Sequence, residues 1–221
     1  QLDLSQYLVL DGRSYTGYSY PTLLVAKERT HFDKNWTDAR TTVRANGGHM
    51  LTIRQFADFL QMLRSGTGYD GAGAPVDRDE LTTIYNNITE VRSPWRSEWL
   101  DAKFSKHQVG KTMGVIPRNE FQITFGAYDS SGIHADNIQS VGDILLSDRT
   151  PGIDLNDWLA NATPHGLPNS RVGSGTMYYW HPRDGSVARF IADSLGAVLC
   201  CDWGPRVHDA ELGVRQAFAK K

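Results

Sequence analysis

The stretch that decides the fold lies near the end of the chain: "RFIADSLGAVLCCDWGPRVHDAELGVRQAF", residues 189–218. It holds both cysteines, side by side at Cys200 and Cys201, and a tryptophan between Asp202 and a Gly204-Pro205 turn. Three runs in and around it carry strand-forming residues: SVARFIA (186–192), AVLCCDW (197–203) and LGVRQAF (212–218). Large, small, charged and apolar side chains are mixed along them. A single buried face could not accept that mixture without unpaired charge.

Upstream, the same grammar of short strands and turns reaches back to about Trp95. WRSEWLDAKF (95–104), KTMGVI (111–116), EFQITFGAY (120–128), DILLSD (143–148) and TMYYWHP (176–182) are predicted strands, and RDGS (183–186) is a turn. DLNDWLANA (154–162) is a short predicted helix. The first third reads instead as helical. Pro21 fits a first turn before TLLVAKERTHF (22–32), and Asn35 can cap WTDARTTVRANGG (36–48), ended by Gly47-Gly48. Thr52 followed by Gln55 is a capping box, with Ile53, Phe56, Phe59, Leu60 and Leu63 behind it at helical spacing and Gly66 as the stop. GTGYDGAGAP (66–75) is a loop, and Asp77 with Glu80 reads as a second capping box, opening a further helix through DELTTIYNNITEV (79–91). Helices followed by an irregular β region give an α+β order rather than βαβ alternation. We expect one domain over residues 1–221, and find neither an internal repeat nor a low-complexity segment.

The totals exclude several roles. Hydrophobic residues make up 40% and charged residues 22% of 221, which suits a packed core. A net charge of −2 without a Lys/Arg cluster leaves nucleic acid no electrostatic footprint. No apolar stretch approaches the roughly 18 residues of a membrane span. The opening QLDLSQYLVLDG lacks a basic region followed by an apolar run, so no secretion leader is expected in it. The sequons at Asn35, Asn87 and Asn161 read as chance triplets.

Catalytic and metal motifs are missing. The histidines at 31, 49, 107, 134, 165, 181 and 208 show no HExxH or His-x-His spacing, and each reads as solvated or hydrogen-bonding. The Gly-rich 66–73 does not match GxGxxG, and there is no GxSxG elbow. Cys200 or Cys201 with His208 could form a thiol–imidazole pair; one core Cys and one surface Cys is the plainer reading. We expect no metal and no cofactor.

The interleaved run Gly185–Phe190, Ala192, Ser194, Ala197, Leu199, Cys201, Pro205 and Leu212–Arg215 resembles the variable region of diversity-generating retroelement variable proteins, within that family most like those of archaeal viruses. The segments SYPTLLVAKERTH, NWTDAR, MLTIRQF and ITEVRSPWRSEWLDA resemble the body of the same proteins, so the likeness covers essentially the whole chain. It implies a C-type lectin fold related to the formylglycine-generating enzyme, with N-terminal helices and an irregular β-rich C-terminal half. In that family a reverse transcriptase copies a template with errors at adenines and rewrites chosen codons.

The resemblance divides the region from about 187 to 215 in two. Phe190, Ala192, Ser194, Ala197, Leu199, Cys201, Pro205, Leu212, Gly213, Val214 and Arg215 would be scaffold. Ile191, Asp193, Leu195, Gly196, Val198, Cys200, Asp202, Trp203, Gly204, Arg206, Val207, Asp209, Ala210 and Glu211 would vary and bind ligand. Arg189 and His208 stay unassigned. Trp203 and Arg206 are the residue types most often found as interface anchors; Trp203 in the core is the alternative. Tyr178, Tyr179 and Trp180 either border the site or pack inside. The chain has neither the Glu-Pro-Asn type of turn that carries a calcium sugar site nor the matching cysteine pair of the oxidase relatives. The implied function is recognition of an unknown protein or other macromolecule, on a virion or cell surface. The alternatives are a Cys-dependent enzyme of the same broad fold and a structural virion component.

Overall fold

The local signals around α2 (Ile53–Ser65) set the pattern for the helices. In the computed structural model, which describes residues 2–109, 118–129 and 132–220, Thr52 and Gln55 cap α2 reciprocally and Gly66 ends it in the left-handed conformation. The Thr52 hydroxyl accepts from the Gln55 N–H, and the Gln55 side chain accepts from the Thr52 N–H, satisfying two orphan donors. Asn35 caps α1 (Trp36–Ala45) and Asp154 caps α4 (Leu155–Asn161); Asp77 caps α3 (Arg78–Thr89) through the Asp79 N–H, without the expected box, because Glu80 pairs with Lys27. No helix of the described residues is long and apolar enough to cross a membrane.

Fourteen strands complete the described residues: β1 (Tyr7–Leu10), β2 (Arg13–Tyr15), β3 (Tyr18–Tyr20), β4 (Leu23–Ala26), β5 (His49–Met50), β6 (Arg96–Val109), β7 (Arg118–Asp129), β8 (Gly132–Ser140), β9 (Arg149–Ile153), β10 (Met177–Trp180), β11 (Val187–Asp193), β12 (Gly196–Trp203), β13 (Leu212–Gly213) and β14 (Gln216–Ala219). The large sheet runs β8-β7-β6-β11-β12-β10-β9, with β13 beside β6. A smaller sheet runs β1-β4-β14-β5, so the last strand sits among the first ones. β2 and β3 form a separate ribbon. One core cluster joins residues from Leu8 to Ala217, with Phe56, Phe59, Trp158, Tyr179 and Phe190 among its largest members. The architecture is mixed α+β, mostly sheet.

Three further expectations differ from this fold, and a fourth cannot be compared with it. The predicted helix over 22–32 is β4: Leu23–Ala26 is buried at every position, between β1 and β14, and a run covered on both faces carries no helical or alternating period. The helical first third therefore opens with four strands. DILLSD forms no strand; Ile144 makes only a single bridge to Asn169. LGVRQAF is two strands, because Val214 and Arg215 pass between the sheets and Leu212–Gly213 pairs with β6 while Ala217–Ala219 pairs with β4. KTMGVI lies outside the described residues.

Candidate functional site

β11 and β12 form a hairpin whose register pairs Phe190 with Leu199, Ile191 with Val198 and Ala192 with Ala197. Successive side chains on a strand point to opposite faces. Ala188, Phe190, Ala197, Leu199 and Cys201 accordingly enter the main core. Ile191, Val198 and Cys200 form a separate cluster on the other face, packed against Trp95, Tyr178 and Trp203. The adjacent cysteines thus belong to different clusters, and both are free thiols. The turn at Ser194-Leu195 is held by the Leu195 N–H donating to Asp193 Oδ1 at 2.7 Å, and Gly196 follows at φ 108°.

β10 extends this outer face. It pairs in parallel with β12, placing Tyr178 beside Val198 and Trp180 beside Cys200. Trp180 is 38% exposed, whereas Tyr179 is fully buried and donates its hydroxyl to the Leu145 carbonyl. Of the three aromatics, Tyr178 and Trp180 border the face and Tyr179 is core.

The segment after β12 is fixed by its backbone. The Pro205 carbonyl accepts from the Trp36 N–H at the start of α1. The Leu212 N–H donates to the Asp209 carbonyl, the Glu211 N–H to Asp209 Oδ1, and the Glu211 carbonyl accepts from Ser97 N–H and Arg29. Arg206, Val207 and Ala210 project to solvent from this tethered loop.

Of the fourteen predicted residues, Ile191, Val198, Cys200 and Trp203 pack together on the outer face of the hairpin, and the set is not uniformly exposed. Leu195, Gly204, Arg206, Val207 and Ala210 are exposed; Asp193, Asp202, Trp203, Asp209 and Glu211 are half-buried. Ile191, Val198, Cys200 and Gly196 are buried, contrary to the expectation of an exposed set, because Trp95, Tyr178 and Trp203 cover the first three. Gly196 has a backbone conformation that L side chains rarely adopt, so it is the least exchangeable of the candidates. Trp203 is neither wholly core nor wholly exposed: it packs against two clusters.

A groove of about 650 Å³ opens on this face. Ile191, Asp193, Trp203, Val207 and Asp209 line it from the predicted set. Arg189 and the loop Arg92–Trp95 line it as well, and sequence reasoning had assigned neither. The Arg92 N–H donates to the Asp193 carbonyl, which docks that loop on the hairpin. Trp95 had been read only as the start of a strand; the Ser-Pro-Trp sequence ahead of β6 was the available signal of a loop.

Both cysteine thiols are shifted upwards by their surroundings. Burial, then the hydrogen bond to Asp202, pushes the Cys200 thiol up to about 12; its Sγ lies 3.0 Å from Asp202 Oδ1. Burial raises the Cys201 thiol well above its ordinary range. His208 is exposed and pairs through Nδ1 with Asp33 at 3.0 Å. Among the described residues no group of three His, Cys, Asp or Glu side chains is arranged to hold a metal ion. No family model, curated protein or solved structure matches the chain.

Proposed function

We propose that this chain is a non-enzymatic ligand-binding protein of the retroelement-diversified class, with a C-type lectin type of fold, recognising a macromolecule on a host or target cell through the face built by β10, β11, β12 and the 202–211 loop. One observation carries the reading. The division into scaffold and variable positions coincides, along β11 and β12, with the two faces of the strands: Phe190, Ala197, Leu199 and Cys201 in the main core, Ile191, Val198 and Cys200 on the other side. Varied side chains held on ordered backbone lose little entropy on binding, as in other paratopes. The raised thiols favour this reading over a Cys-dependent enzyme, since the thiolate is the nucleophile.

Sequencing independent isolates tests it. Substitutions are expected to cluster at the fourteen positions, free at Leu195, Arg206, Val207 and Ala210 and confined to small or apolar types at Ile191, Val198 and Cys200. The flanking DNA should hold a near-copy of the 3′ coding end beside a reverse-transcriptase gene, differing mainly at adenines. Substitutions spread evenly along the chain would reject the reading.

A further inference from the structure

Arg189 is only 7% exposed and lies at the groove, yet no carboxylate among the described residues forms an ion pair with it. Its guanidinium carbon sits 3.4 Å from the centroid of the Trp203 ring and 5.9 Å from that of Trp95. Trp203 thus covers the guanidinium at cation–π distance and Trp95 flanks it more loosely. The Nε–H is buried and has no acceptor.

Each of the acids nearby accepts a hydrogen bond from a group other than Arg189. Asp193 accepts from Leu195 N–H, Asp202 from the Cys200 thiol and Asp209 from Glu211 N–H. Burial pulls the Arg189 guanidinium below its ordinary value, with the Cys200 sulfur as its hydrogen-bonding neighbour and Asp202 and Asp209 as opposing charges. These charges act on it without a direct ion pair, and a buried cation held only at that range is costly in a finished structure. Proteins tolerate such a group where a ligand supplies the missing charge.

Resting on the reading of this face as a binding surface, we infer that the groove receives an Asp or Glu side chain of a protein partner, its carboxylate seated on the edge of Arg189 between Trp95 and Trp203. The surroundings favour a protein over a small acid. Val207, 40% exposed, lines the groove of about 650 Å³, and Leu195, 60% exposed, follows its lining residue Ser194 in the β11–β12 turn, so apolar surface continues past the cavity. Arg189 would be a constant anchor, and the exchangeable residues around it would choose which acidic partner fits.

Two probes of equal shape separate charge from stacking: benzoate and benzamide, titrated into the intact chain with tryptophan fluorescence and the Arg189 Nε–H resonance as readouts. Benzoate should bind saturably and at least about tenfold more tightly than benzamide, the range of a charge-assisted hydrogen bond. Arg189→Gln should make the two probes equal, and Arg189→Lys should recover only part of the preference. Equal binding of both probes to the unaltered chain, or saturation by neither, overturns the carboxylate site even if Arg189→Gln fails to fold. Panning random displayed peptides on the chain tests the partner: selected sequences should share an Asp or Glu whose replacement by Asn or Gln weakens binding about tenfold. Benzoate binding without acidic enrichment overturns the protein assignment. None of these outcomes depends on where isolates vary, so the anchor and the diversification reading fail separately.

Discussion

His49 shows how a single buried residue couples this fold to pH. Burial, then the Arg44 charge, pulls its imidazole down to about 3 from an ordinary 6.5, against a hydrogen bond with Gln55 that works the other way. The sequence left it among seven solvated or hydrogen-bonding histidines, since nothing local marks burial of a two-residue strand. The unfolded chain takes up a proton near pH 6.5 that the folded chain refuses. Stability is therefore complete above about pH 6.5 and declines as pH falls towards about 3, by up to about 1.4 kcal/mol per pH unit. His49→Gln should flatten this part of the acid limb in thermal melts. An acid limb with the same slope in the variant would show that other groups carry it.

At the scale of elements, the glycines near the strand and helix ends sort by what surrounds them. Gly166 has φ 86°, and a Cβ there would lie 2.3 Å from the Arg54 backbone nitrogen. Gly185 has φ 76° with nothing within 4 Å of such a Cβ. Gly166→Ala should cost at least about 3 kcal/mol and Gly185→Ala about 1 kcal/mol, read from chemical denaturation. Comparable losses would mean that conformation, not contact, sets both. The helices were legible because their signals are local: Asn35, Thr52, Gln55, Gly66 and Asp77 each act within one turn. β4 was not, because a strand covered on both faces loses its alternation. Nor was the break in LGVRQAF, which depends on Arg215 reaching Glu98 at 2.9 Å and the Ala26 carbonyl at 2.9 Å, partners far away in the chain. The groove was legible in half. The resemblance marked Ile191 and Trp203, but the setting of Arg189 needs Trp95 from another segment.

For the whole molecule, the hairpin separates a core face from an outer face. Phe190 stacks near Phe56 at 4.9 Å and Trp158 at 6.2 Å between centroids, at the junction of α2, α4 and the large sheet. Phe190→Ala should destabilise the chain by about 3–5 kcal/mol. Leu195→Ala, from a position 60% exposed, should stay within about 0.5 kcal/mol. Similar melting points for the two would remove the distinction between the faces. The pairing of Phe190 with Leu199 and Ile191 with Val198 has a consequence for how such a surface can change over time. Exchange of side chains leaves the phase of the strand alone. One inserted residue within 197–201 would turn Leu199 outward and Cys200 inward, inverting core and display together. Length variation is therefore forbidden along the two strands, where the outer side chains Ile191, Val198 and Cys200 are themselves buried. It is admissible in the Ser194-Leu195 turn and the loop from Gly204 to Glu211, so a change of length and a change of side chain are open at the same exposed places.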